Sequence, residues 1–120
     1  MEAVELRINN LVFYGGHGYS VSMIGNDEII LIDNANNITG SKVKDLKPIP
    51  LTKEWLLRLG FNNKEFARWY DLGDISINLK ENRMVSKDNE SYNQYRIPKY
   101  VHKLQNLYFE LTGEELTIKE

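Results

Sequence analysis

The stretch from Leu11 to Asp33 restricts the fold more than any other part of this chain. Leu11-Val12-Phe13-Tyr14 is a short apolar run, and Tyr19-Ser20-Val21-Ser22-Met23-Ile24 alternates closely enough to place Tyr19, Val21 and Met23 on one face. A period of two belongs to a strand, since helix faces repeat every 3.6 residues or so. Gly25-Asn26-Asp27 tolerates the left-handed backbone of a tight turn, and Glu28-Ile29-Ile30-Leu31-Ile32-Asp33 follows as a strand apolar on both sides. Connections this short join only antiparallel neighbours. The segment therefore folds as hairpins.

The same reading extends along the chain. Residues 34–41 are polar and read as a loop, Lys42 to Lys47 alternate like a strand, and Pro48 and Pro50 fix an extended exit. The first 50 residues thus predict a small antiparallel sheet or an SH3-like barrel. Leu51 to Phe61 carries helix punctuation: Thr52 as N-cap, Glu54 in the first turn, Gly60 to end it, and Leu51 and Leu56 spaced as a hydrophobic staple. Phe66 to Tyr70 and Asp74 to Lys80 read as strands, the second with Ile75, Ile77 and Leu79 on one side. Glu81-Asn82 turns into a strand at Arg83 to Ser86, and Lys87 to Gln94 reads as an exposed, mobile loop. Pro98 opens a final helix, where Tyr100, Val101, Leu104, Leu107, Tyr108 and Leu111 form an apolar stripe that Gly113 terminates. Leu116 and Ile118 in the acidic tail could add an edge strand. The expectation is an α+β fold in a single domain, 1–120. Its parts are a β-rich segment 1–50, a helix and hairpin 51–97, and a C-terminal helix near 98–112 within 98–120.

Composition narrows the function classes. The chain has no cysteine, which removes disulfides, thiolate metal sites and cysteine nucleophiles. No apolar run approaches the ~20 residues of a membrane span, and no leader pattern opens the sequence, so a soluble, cytoplasmic protein is expected. Net charge is −2, which disfavours nonspecific nucleic-acid binding. Charge is uneven, however: residues 1–41 hold Arg7 against five acids, whereas 42–53 hold Lys42, Lys44, Lys47 and Lys53 against Asp45. That lysine run is a local basic patch or a protected sheet edge.

Candidate sites are few. Gly15-Gly16-His17-Gly18 lacks the spacing of a dinucleotide fingerprint or a P-loop, and a strand follows it where those motifs require a helix. It reads as a hairpin loop whose open amides could approach an anion. His17 and His102 belong to no metal-ligand cluster, and no serine sits on a nucleophile elbow, so neither a metal nor a catalytic set is expected. Arg68 between Phe66 and Tyr70 could stack bases, although a half-buried strand explains the same pattern. On the final helix His102, Gln105, Asn106 and Phe109 lie opposite the apolar stripe. A phenylalanine there calls for a second layer of the same chain or for a partner, of which a homodimer through this helix is the simplest.

Three blocks, ELRINNLV, PIPLTKEWLLRLGF and YVHKLQNLYFELTGEEL, resemble in order and spacing small uncharacterised proteins of Bacteroidetes phages and prophages. The first block departs at Asn9-Asn10, where that family carries Gly-Asn. The resemblance implies a mobile-element context in a bacterial host, with no established activity and no functional residues. Together the residues and this context predict a non-enzymatic binding protein for a protein partner or a small anionic ligand such as a nucleotide, with counter-defence as its setting. Gly15 to Gly18, Arg68 and Arg96 would serve an anionic ligand, and no cofactor is implied. A nucleic-acid adaptor built on the small barrel and a small enzyme stand as alternatives.

Overall fold

A computed structural model describes residues 5–63, 68–88 and 91–119. In chain order the elements are β1 (Leu11–Tyr14), β2 (His17–Ile24), β3 (Ile29–Ile32), β4 (Ile38–Ser41), α1 (Lys53–Arg58), β5 (Tyr70–Leu72), β6 (Ile75–Asn78), β7 (Arg83–Asp88), β8 (Ser91–Arg96) and α2 (Val101–Thr112). The fold is α+β. Strands pair in the orders β1-β2-β3-β4 and β5-β6-β7-β8, every pair antiparallel, so both sheets are open and the barrel alternative does not hold. The contacts divide into two compact units, residues 1–50 with 100–115 and residues 51–99 with 116–120.

In the first unit the β1–β2 hairpin closes through Gly15 and Gly16, with φ of 57° and 82°. A two-residue turn with positive φ at both positions matches the twist of the flanking strands, and glycine adopts it without a Cβ penalty. Val12, Val21, Ile29 and Leu31 form the core with Leu6 and Leu46, and Tyr14, Tyr19 and Val43 pack against it. Met23 departs from the expected face. Val21 pairs with Leu31 but Met23 pairs with Ile30, so a bulge between them adds one residue and turns Met23 outward, where it is exposed.

The polar stretch after β3 is a hairpin and not only a loop. Asp33 accepts hydrogen bonds from the backbone amides of Ala35 and Asn37, both at 2.9 Å, and Asn36 takes the left-handed conformation, which delivers β4 back onto β3. These bonds hold the Asp33 carboxyl below the usual carboxylate range, the amide of Asn37 contributing most. The alternation at Lys42 to Lys47, expected to be a strand, forms a 3-10 turn at Val43–Asp45, and only Lys47 pairs, with Phe13 of β1. Alternation on a single turn looks the same as alternation on a strand when it spans so few residues.

In the second unit α1 follows its punctuation closely. Thr52 Oγ1 accepts from the Trp55 amide at 3.3 Å, and Gly60 has φ of 97°. Phe61 N–H bonds Leu56 C=O and Gly60 N–H bonds Leu57 C=O, the paired bonds of a Schellman cap. Ile75, Ile77 and Met84 are buried on one face of the second sheet. Of the expected loop at Lys87 to Gln94, residues 89–90 lie outside the described residues, and the rest is the paired ends of β7 and β8, polar because β8 is an exposed edge strand. Of the strand expected at Phe66 to Tyr70, residues 66–67 lie outside the described residues, and Tyr70 begins β5. Pro98 stands ahead of the final helix and does not open it. Tyr100 is the N-cap, and Val101 N–H is accepted by Ile49 C=O at 2.8 Å. Gly113, in the left-handed conformation, ends α2, and residues 116–118 form no strand.

The first hairpin yields a discriminating pair of substitutions, because a Cβ at Gly16 or Gly18 meets nothing within 4 Å. Gly16→Ala should cost about 1 kcal/mol through its positive φ alone, whereas Gly18→Ala should leave stability unchanged or slightly raised, as read by urea denaturation.

Candidate functional site

The residues expected to face a partner on the last helix are taken up by their own chain. His102 and Gln105 are both fully buried. Gln105 Oε1 accepts from the Leu11 amide at 2.8 Å and its Nε2 donates to Asn9 C=O at 3.0 Å, so one side-chain amide substitutes for a strand neighbour. Asn106 Oδ1 accepts from Asn10 Nδ2 at 2.8 Å and Arg7 Nη1 at 3.2 Å, while its Nδ2 donates to Glu5 C=O at 2.9 Å. Phe109 remains partly exposed beneath the Arg7 guanidinium, 4.2 Å from its ring centroid, and Arg7 also pairs with Glu115 at 2.7 Å. The expectation of an interface at His102, Gln105 and Asn106 is thereby corrected: the N-terminal segment, remote in sequence, supplies the second layer. Asn9 adopts φ of 78°, so the chain makes a left-handed turn there with asparagine.

Among the described residues, His102 is held at one ring nitrogen only. Its Nε2 lies 3.2 Å from Glu5 Oε2, and Nδ1 is buried with no hydrogen-bond partner among the described residues. The neutral ring with its proton on Nε2 suits this setting, since a second proton on Nδ1 would be a buried donor without an acceptor. Burial pushes the His102 imidazole below its ordinary pKa, against the opposing pull of Glu5. The hydrogen bond from His102 holds Glu5 below the usual carboxylate range. These groups help to order the first unit.

The glycine loop offers little more. Gly15 and Gly16 form the turn itself, and His17 and Gly18 belong to β2, with Tyr14 and His17 paired across it. No described side chain forms an ion pair or hydrogen bond with His17. Arg68 lies exposed in a turn, and its expected neighbour Phe66 is outside the described residues. Gly15 to Gly18 belong to the first unit, Arg68 and Arg96 to the second. Among the described residues no three His, Asp or Glu side chains gather to hold a metal ion. No described helix is long and apolar enough to cross a membrane.

Arg96 is the sequence-selected residue that reaches a cavity. A cleft of about 400 Å³ in the second unit is lined by Leu51, Leu79, Asn82, Arg96, Ile97, Pro98 and Lys99. Three backbone features shape it. Asn82 turns the β6–β7 connection with φ of 55°, its carbonyl accepts from Ile97 N–H at 3.2 Å, and Leu51 N–H bonds Lys99 C=O at 2.9 Å. Arg96 stands directly opposite Arg83 across β7 and β8. Arg83 is engaged, donating to Gln94 Oε1 at 2.9 Å and lying 3.5 Å from Glu81. Arg96 and Lys99 have no side-chain ion pair or hydrogen bond among the described residues. The cleft thus presents two uncommitted cations and an amide beside four apolar walls, the composition of a pocket for an anion with an apolar body. Lys99 and Asn82 were missed from the sequence. The run Arg96-Ile97-Pro98-Lys99, cations around an apolar pair just ahead of a helix, was the available signal. Comparison of the chain with protein-family models, with curated proteins and with solved structures gave no match.

The His102 arrangement has a pH signature. A folded-state pKa below the unfolded one makes the unfolded chain bind more protons, so stability is full above the ordinary imidazole pKa near 6.5 and is lost as pH falls below it. Thermal denaturation should show the melting temperature falling between pH 7 and about 5.5, and His102→Gln should flatten that slope.

Proposed function

We propose that this protein is a non-enzymatic binding protein for a small anionic ligand with an apolar or planar body, of which a nucleotide is the reference case. The observation that carries this reading is the cross-strand pairing of Arg83 with Arg96, the second of which lines the cleft. Like charges directly opposite on neighbouring strands destabilise a sheet. Arg83 is compensated by Glu81 and Gln94, while Arg96 lines the cleft together with Lys99. A bound phosphate or carboxylate would relieve that repulsion and take charge-assisted hydrogen bonds from the guanidinium. Leu51, Leu79, Ile97 and Pro98 would cover the ligand's apolar part.

The resemblance to phage and prophage proteins supplies the setting. In a bacterial cell, a protein of this kind would sequester a nucleotide signal and so act in counter-defence. The reading involves no chemical step, since the cleft holds cations and an amide but no nucleophile beside a base.

Thermal-shift measurements with linear and cyclic nucleotides at millimolar concentration test it. A ligand at a hundred times its Kd stabilises the fold by about 2.7 kcal/mol, which is several degrees of melting temperature. Arg96→Ala should abolish most of the shift and Lys99→Ala should reduce it, with Lys44→Ala as a silent control. The absence of any shift with the unaltered protein would remove the reading.

A further inference from the structure

The cleft opens beside a cationic, aromatic sheet face. Strand register settles which side chains share it. Met84 pairs with Tyr95 and Ser86 with Asn93, so these four positions share one side of the sheet, the side on which Met84 and Ser86 are buried. The alternate pairs are Arg83 with Arg96, Val85 with Gln94 and Lys87 with Tyr92, which therefore share the outward face. Three of these six side chains are cations. Tyr92 is 66% exposed, a large aromatic that contributes nothing to the core at that position. Glu81, bonded to Arg83, is the acid that offsets them at the cleft end.

We infer that this face binds single-stranded nucleic acid, with a base stacked on Tyr92, the backbone phosphates taken by Lys87 and Arg96, and one nucleotide seated in the cleft beside Lys99. The inference rests on the cleft reading above and extends its ligand from a mononucleotide to an oligomer. Stacking on an exposed aromatic and salt-sensitive contacts from neighbouring cations are the two elements by which single strands are held without sequence preference. The row from Tyr92 to Arg96 spans about 13 Å at strand rise, a distance that takes more than one nucleotide. Gln94, between them on the same face, can hydrogen-bond a base edge or a sugar.

Net charge does not oppose this. The second unit holds ten Lys and Arg against eight Asp and Glu, whereas the first holds five against nine, so the acidic balance of the chain belongs to the first unit. Screening confines each phosphate to charges within about a Debye length, roughly 8 Å at physiological salt.

Fluorescence anisotropy with a labelled oligothymidylate of about 12 nucleotides, run beside thermal shift with thymidine monophosphate, tests the inference. The oligomer should bind at least about tenfold tighter than the monophosphate and weaken steeply as salt rises. Tyr92→Ala should weaken the oligomer on the order of tenfold while leaving the monophosphate shift unchanged, Tyr92→Phe should restore it, and Arg96→Ala should weaken both ligands. An oligomer no tighter than the monophosphate, or one indifferent to Tyr92→Ala, overturns the inference and leaves the cleft reading standing. If neither ligand binds, both fall together.

Discussion

The side-chain amides of Gln105 and Asn106 are the constraint on which the first unit depends. An apolar stripe alone tolerates small rotations and slides of a helix, because dispersion and burial change little with either. A buried amide does not, since a misplaced donor or acceptor loses its partner and costs about 1–3 kcal/mol. Gln105 meets the Leu11 amide and the Asn9 carbonyl at once, and Asn106 gathers Asn10, Arg7 and the Glu5 carbonyl. Only one position of α2 satisfies them all. The same bonds tie residues 5–11 to the helix, and Asn9 and Asn10 in turn bond Val21 of β2. Helix, leading segment and first sheet are thus held in one register by polar groups, with Val101, Leu104 and Tyr108 supplying buried area.

Legibility in the sequence followed how local each determinant was. The β1–β2 turn, the Thr52 cap and the Gly60 C-terminus were readable because their causes lie within a few residues of their effects. β4 and β8 were not. Their side chains are polar, and what makes them strands is the backbone of β3 and β7 beside them, which no local pattern records. Met23 was placed on the wrong face for a related reason: one bulged residue reverses everything beyond it, and the alternation Tyr19, Val21, Met23 carries no mark of it. His102, Gln105 and Asn106 were correctly placed on one face of a helix, but their partners lie some 94–101 residues away. A polar helix face looks the same whether it meets solvent, a partner or a distant stretch of its own chain.

The candidate site was legible in part, and the divide is instructive. Arg96 is readable from the sequence only as one of the cations that would serve an anionic ligand. Its opposition to Arg83 depends on the register of a hairpin read as a loop, so the electrostatic argument was out of reach until that hairpin was seen. The glycine loop drew attention for the opposite reason. Its composition suggested a cradle, yet a two-residue turn spends both glycines on closing the hairpin.

Why the uncommitted cation should be Arg96 and not Arg83 follows from where each has company. Arg83 begins β7 just after Glu81, so a carboxylate two residues away and Gln94 across the ladder share its charge. Arg96 ends β8, followed by Ile97 and Pro98, which line the same cleft and offer no acceptor side chain. The next cation along the chain, Lys99, adds to the same field. The overall acidity of the chain does not oppose the proposed anion contact, because at cleft distances a ligand would respond chiefly to the nearest cations, and screening removes most of the rest.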